Sequence, residues 1–208
     1  LKTAAITGTK QLVILGAGLD TFALREKDFS TKYKIYEVDH PLTAEDKVHR
    51  IRNADLKIPE NLTFVPVDFA ADDLADKLYE KGFDKTVKTF FTWLGVSYYL
   101  DECAFERTIE SLSRLCSRGS TIAFDYADEN FFNSDDIRVQ NSIKMAAAGG
   151  EPMKGCYSYE KLEKLLEKHG FLIYELLTPA DIEREYAANN SAVKPFANEN
   201  FCLIVYQG

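Results

Sequence analysis

The chain is poor in the residues that would commit it to several common chemistries. Histidine occurs only as His40, His49 and His169, which make no metal-ligand spacing with one another or with cysteine, so no metal site is expected. Cys103, Cys116, Cys156 and Cys202 are scattered without a C-x-x-C spacing and read as reduced thiols, mostly core residues, of a cytoplasmic protein. No apolar stretch approaches the roughly 20 residues that span a bilayer. No signal peptide is visible, and no membrane partner is expected. Positive charge is in deficit. Lys and Arg number 25 against 33 Asp and Glu, a formal net charge of −8 that argues against a polyanionic partner such as nucleic acid. The run from Lys154 to Lys168 is mixed in sign and reads as a solvated helix face. What remains is 208 residues, 46% hydrophobic and rich in Phe and Tyr, which suits one domain with a full core and excludes disorder on composition.

The most informative stretch is Gln11–Asp20, taken together with Asp39. Leu12-Val13-Ile14-Leu15 is a short apolar run, followed at once by Gly16-Ala17-Gly18. Asp20 and Thr21 then open an amphipathic segment, expected to be a helix over Thr21–Lys27. A second apolar run, Tyr33–Val38, ends on Asp39. This is the outline of a strand, a glycine turn, a helix and a second strand tipped with an acid. Glycines let a ligand lie against bare backbone, and a helix N-terminus offers unpaired N–H groups to an anionic group. An acid at the next strand tip can accept from two ribose hydroxyls. The pattern points to an adenosine-containing cofactor.

Strand and helix signals go on alternating. Strands are predicted at Gln11–Leu15, Lys34–Val38, Leu62–Val67, Thr86–Trp93, Thr121–Tyr126, Phe171–Leu177 and Phe201–Tyr206. Helices are predicted from Pro41 to about Asn53, over Ala71–Lys81, from an Asp101 cap through Phe105, Ile109 and Leu112, and over Tyr159–His169. A further short helix follows Thr178-Pro179, with Asp181 placed for a capping box. Residues 127–156 interrupt the rhythm and read as an insertion over the pocket, with a helix near Ser134–Ala148. The alternation specifies an α/β fold with helices on both faces of a largely parallel sheet. A short helix and a polar loop before the last strand can return that strand antiparallel beside strand six. Seven strands with the last one reversed is the Rossmann-like, three-layer layout of class I S-adenosylmethionine (SAM) methyltransferases.

The choice of cofactor turns on small differences. A dinucleotide fold has a third glycine for close packing under a pyrophosphate, and here Thr21 stands in its place. SAM has no pyrophosphate and needs only close backbone approach. Asp68-Phe69 follows strand three on the same sheet edge. A carboxylate there can accept from the adenine amine, the Phe69 N–H can donate to a ring nitrogen, and its ring can pack on the adenine face. Asp68 also suits a helix cap for Ala71–Lys81. Gly95 permits close approach to a sulfonium, and Tyr98 or Tyr99 stands where an acceptor pocket is expected.

Four blocks then carry a resemblance: Leu15-Gly16-Ala17-Gly18-Leu19-Asp20-Thr21, Tyr36-Glu37-Val38-Asp39-His40-Pro41, Phe64-Val65-Pro66-Val67-Asp68-Phe69 and Gly95-Val96-Ser97-Tyr98-Tyr99-Leu100. In this order, with Phe124-Asp125-Tyr126 after them, the chain resembles the leucine carboxyl methyltransferase family, which includes tetracenomycin-type polyketide O-methyltransferases. The resemblance implies that Gly16, Ala17 and Gly18 bound the methionine portion of SAM, Asp39 the ribose (with Glu37 as fallback), and Asp68 with Phe69 the adenine. Better-known members carry Glu where this chain has Leu94, which leaves the Leu94 carbonyl as a weaker acceptor for the methionine amine. Members also have helices before the first strand that help close the substrate pocket and supply a basic residue for the methionine carboxylate. The sequence from Leu1 to Gln11 lacks nearly all of that: a protein this short is expected to bind SAM and capture its acceptor more weakly, whereas in a longer protein that carries those residues ahead of Leu1 the function is expected to be intact.

A sulfonium is an activated methyl donor, and a carboxylate acceptor needs no general base, whereas a phenol benefits from one. No residue is assigned as catalytic. His40 and His49 read as surface residues, and Tyr98, Tyr126 and Tyr157 stand as acceptor-pocket candidates. The expected function is a SAM-dependent O-methyltransferase, releasing S-adenosylhomocysteine, that acts on a carboxylate or hydroxyl oxygen of a small molecule, polyketide-like among others, or on a carboxyl terminus. The alternatives are an NAD(P)-dependent oxidoreductase and a SAM-binding module without catalysis. The acceptor's identity and the oligomeric state are not legible in the sequence.

Overall fold

A computed structural model describes residues 4, 6–26, 32–69, 71–187 and 194–208. Its seven strands are β1 (Gln11–Leu15), β2 (Lys34–Asp39), β3 (Leu62–Pro66), β4 (Thr89–Trp93), β5 (Thr121–Ala127), β6 (Phe171–Leu177) and β7 (Glu199–Tyr206). They form one sheet in the order β3-β2-β1-β4-β5-β7-β6. β3, β2, β1, β4 and β5 run parallel. β7 is antiparallel to both neighbours, so the reversed last strand is wedged between β5 and β6. The reversal brings the start of β7 to the edge where the parallel strands end.

The helices are α1 (Phe22–Arg25), α2 (Pro41–Asn53), α3 (Leu74–Glu80), α4 (Glu102–Leu115), α5 (Ile137–Ala148), α6 (Tyr159–Lys168) and α7 (Pro179–Ile182). On one sheet face, Leu74 and Leu78 of α3, Phe105, Ile109 and Leu112 of α4 and Leu162 and Leu166 of α6 pack against alternate strand residues such as Val13, Val38, Phe91, Trp93 and Phe124. The opposite parity of β1 and β2, Leu12, Ile14 and Ile35, builds a second layer with Ala17 and Ala23. That is why β1 reads as an unbroken apolar run: all five of its residues are buried, on both faces. No helix among the described residues is long and apolar enough to cross a membrane.

Caps set several boundaries. The Asp101 carboxylate accepts from Ala104 N at 2.9 Å and starts α4, and both arms of the Thr178–Asp181 capping box are made at α7. β4 begins at Thr89 rather than Thr86 because Asp84 ties up the Thr86 N–H in a local turn. α3 begins at Leu74 rather than Ala71 because Ala71 N and Asp72 N both donate to the Asp68 carbonyl, which closes a separate turn. α1 is shorter than expected, and Lys27, the expected end of that helix, lies outside the described residues.

Candidate functional site

The glycine turn leaves β1 with Gly16 at φ +64° and Gly18 at φ +45°. The two glycines serve different ends. A Cβ on Gly16 would sit 2.2 Å from Val96 Cγ2, so Gly16 lets the turn after β4 close against the turn after β1. A Cβ on Gly18 would meet nothing nearer than the Gly16 carbonyl at 4.0 Å, so Gly18 faces open space where a ligand can approach its backbone. Ala17 is buried; its N–H donates to the Val38 carbonyl and its carbonyl accepts from Asp20 N.

Asp39 ties this turn to the tip of β2. Its Oδ2 accepts from Gly18 N at 2.6 Å and its Oδ1 from His40 N at 2.7 Å. His40 in turn caps α2, its Nδ1 accepting from Leu42 N, and Pro41 takes the first helical position. An ionised carboxylate offers about four lone-pair positions, and the two backbone donors use two of them. Glu37, the fallback acid, is not available: it is buried and ion-paired with Lys47 of α2, Nζ to Oε2 2.6 Å. It shares the parity of Asp39 but lies one pleat inward, under the helix. Burial raises its pKa more than Lys47 lowers it. The anion site expected at the first helix N-terminus is also not built. α1 spans only four residues, and Asp20 Oδ1 already accepts from Phe22 N at 2.6 Å.

Asp68 and Phe69 follow β3 beside Asp39; Val67 N donates to the Asp39 carbonyl at 2.8 Å. Gly18, Asp39 and Asp68 thus stand at the tips of three adjacent strands. The cap of α3 is Asp73, accepting from Asp76 N at 3.0 Å, so Asp68 does not fill that role. Asp68 N donates to Asp72 Oδ2. Phe69 packs partly against the α4-side core and lines a recess of about 370 Å³ with Asp73, Thr108 and Ser111.

After β4, Leu94 is half-exposed at the same edge and Gly95 turns at φ +75°. Gly95 N donates to both oxygens of Asp125, at 2.9 and 2.8 Å. The Ser97 hydroxyl donates to the Asp125 carbonyl. Asp125 is buried at the end of β5 and hydrogen-bonded to Glu199 at the start of β7. Burial raises both carboxyls, Glu199 to about 7. Sequence reasoning assigned neither residue a part. An acid inside the apolar strand Thr121–Ala127 was the available signal for Asp125; Glu199 had none.

The three tyrosine candidates separate. Tyr98 stays at the edge, stacked on Phe131 with centroids 6.2 Å apart, and its carbonyl accepts from Lys154 N and Gly155 N. Tyr126 and Tyr157 do not line a pocket: both are 2% exposed and belong to the helix-side core, with the Tyr157 ring 4.6 Å from Phe105. The side-chain parity of β5 sends Tyr126 inward beside Phe124. Segment 127–156 forms its own small core of Ala127, Phe131 and Val139, against which Tyr98, Ile143 and Met153 pack.

A seven-stranded sheet of this order, with the reversed strand between β5 and β6 and an acid-braced glycine turn, defines the class I methyltransferase fold; a dinucleotide dehydrogenase keeps all strands parallel in the order 3-2-1-4-5-6. The chain belongs to the leucine carboxyl methyltransferase family, whose model matches residues 1–113. It is 46% identical over 191 residues to YktD of Bacillus subtilis strain 168, a protein that carries the name of a SAM-dependent methyltransferase; the match covers 91% of this chain and 62% of that one. A Mycobacterium marinum protein named in the same way is 32% identical over 149 residues, 71% of this chain and 47% of its own length. The chain therefore spans less than two thirds of the curated relatives it matches. Among solved structures, human N-acetylserotonin methyltransferase in complex with SAM superposes with a TM-score of 0.63 at 14% identity, over 99% of this chain and 50% of that one. Mitomycin 7-O-methyltransferase MmcR gives 0.62 at 13% identity, over 99% and 52%. These two show the fold alone.

Proposed function

We propose that the chain is a SAM-dependent O-methyltransferase, a single domain in which segment 127–156 covers the acceptor side of the cleft. The observation that carries this reading is Asp39. It braces Gly18 and His40 while keeping lone pairs for two ribose hydroxyls, beside a glycine whose side-chain position is open. The neighbouring Asp68–Phe69 turn follows the tip of β3 beside Asp39 and offers a carboxylate and a ring to the adenine. The Gly16–Gly18 backbone and the Leu94 carbonyl would meet the methionine part.

When bound, SAM would supply the activated methyl group. The residues present would supply position: an acceptor oxygen held in line with the methyl–sulfur bond, about 3 Å from the carbon, in a site shielded from water. Tyr98 and the residues packed on it from 127–156 stand at that end of the edge. We read the acceptor as a small molecule with a carboxylate or hydroxyl oxygen. Titration calorimetry with S-adenosylhomocysteine and separately with NADH tests the cofactor, and transfer of labelled methyl from SAM to a panel of carboxylic acids and phenols tests the reaction. Binding of S-adenosylhomocysteine with a methylated product is the expected result. Binding without any product favours a module that has lost catalysis, and tight NADH binding alone refutes the proposal.

A further inference from the structure

Tyr98 is held at the sheet edge from three sides. Its carbonyl accepts from Lys154 N at 2.7 Å and Gly155 N at 3.1 Å, which ties it to the covering segment. That approach needs a glycine: a Cβ on Gly155 would sit 2.6 Å from the Leu100 carbonyl oxygen. The Tyr98 ring lies nearly parallel to Phe131, at an interplanar angle of 17°, and packs against the Tyr99 ring at 5.1 Å. The turn that carries it is pinned to β5, with Gly95 N donating to the Asp125 carboxylate and the Ser97 hydroxyl to the Asp125 carbonyl.

The hydroxyl on this firm mount is not used by the fold. Tyr36 and Tyr79 donate to the carbonyls of Gly82 and Arg114, whereas the Tyr98 hydroxyl makes no hydrogen bond among the described residues. Unlike Tyr157, Tyr98 is only half-buried, so a ligand can reach it. It stands over the bare side of Gly95: a Cβ there would have the Tyr98 oxygen as its nearest neighbour, at 3.7 Å. Val96, the next residue of the turn, packs against Gly16, so this oxygen lies beside the contact of the two turns. Burial, with the Asp125 and Glu199 carboxyls nearby, pushes the phenol pKa up, and the group stays a donor. We propose that Tyr98 is an acceptor-binding residue whose hydroxyl donates to an acceptor oxygen next to the one that is methylated. A donor on the attacking oxygen itself would draw on the lone pair that must form the new bond, so the hydrogen bond falls on a second oxygen. The fitting substrates are carboxylates and hydroxyls flanked by another hydroxyl or a carbonyl. An isolated hydroxyl leaves Tyr98 unpaired. The proposal rests on the methyltransferase reading.

The experiment measures transfer of labelled methyl from SAM in the wild type and Tyr98→Phe, with S-adenosylhomocysteine affinity and thermal unfolding alongside. The acceptors are benzoates and catechols, set against phenols of matched shape that lack the second oxygen. Tyr98→Phe keeps the ring on Phe131 and removes only the hydroxyl. Its unfolding temperature is expected to match the wild type, and its S-adenosylhomocysteine affinity to stay within about twofold. For acceptors with two oxygens kcat/KM is expected to fall about tenfold, the worth of one hydrogen bond in the site, and for isolated phenols by about twofold or less. A merely structural role would lower stability and slow every acceptor alike, which would overturn the proposal. So would a variant that methylates both sets as the wild type does. Gly155→Ala, which disturbs the mount and leaves the hydroxyl in place, is expected to raise KM for the two-oxygen acceptors more than for the phenols. A wild-type chain that binds no S-adenosylhomocysteine, or methylates nothing, sinks the methyltransferase reading and the assignment with it. A methylated product with Tyr98→Phe unaffected sinks the assignment alone.

Discussion

Replacing Asp39 by alanine tests the cleft where its geometry is most specific. The carboxylate makes two charge-assisted bonds, to Gly18 N at 2.6 Å and His40 N at 2.7 Å. Each bond of this type contributes about 1.5–3 kcal/mol, and the half-buried position puts them at the lower end. Losing both leaves the glycine turn and the start of α2 unbraced, a cost of about 2–3 kcal/mol in unfolding free energy. The two ribose acceptors go with them, about 3 kcal/mol more, which corresponds to S-adenosylhomocysteine binding weakened roughly 150-fold. Asp39→Asn separates the two losses. Its single carbonyl oxygen can brace Gly18 or His40 but not both, so it should lose about half of that stability, about 1–1.5 kcal/mol, and bind about tenfold or more weakly. Urea unfolding gives the first number and titration calorimetry the second. Asp39→Ala binding within threefold of the wild type would refute the assignment of this acid to the cofactor.

Gly16→Ala and Gly18→Ala should behave in opposite ways. The first is expected to lose about 2–3 kcal/mol of stability or more through the 2.2 Å clash with Val96, partly recovered in Gly16→Ala/Val96→Ala; the second meets no clash and is expected to cost about 1–2 kcal/mol through its left-handed backbone and to show its further effect in S-adenosylhomocysteine binding. Lys47→Met strands the buried Glu37 and should destabilise by about 3–5 kcal/mol at pH 7 in urea unfolding, whereas Lys47→Met/Glu37→Leu should return to near the wild-type value or above it. The sign with pH follows from the raised Glu37 carboxyl: the folded state holds its proton more tightly than the unfolded chain. The single variant should therefore recover stability as pH falls toward the ordinary carboxylate range, and the double variant should not. Tyr157→Phe removes a buried hydroxyl that has no hydrogen-bond partner among the described residues, so thermal unfolding should show no loss and a gain of up to about 1 kcal/mol; a loss would mean that this hydroxyl has a partner in solution.

The sequence by itself determined the parts that rest on local physics. The order of strands and helices, the Asp101 cap, the Thr178–Asp181 box, the glycine turn and the acid at the tip of β2 are written in periodicity, backbone freedom and short-range hydrogen bonding, which act within a few residues or one strand–helix–strand unit. Tertiary structure decided what each side chain faces. A strand buried on both sides gives no sign of which parity meets which helix layer, so Tyr126 could not be told from a pocket residue, and Tyr157, in the loop before α6, becomes core only through its packing on Phe105. Glu37 and Asp39 share a parity in β2, and only the packing of α2 brings Lys47 onto one of them and leaves the other at the edge. The same holds for Asp125 and Glu199: antiparallel pairing of β7 with β5 brings two acids distant in sequence to one strand tip, a juxtaposition that exists only once the sheet has closed.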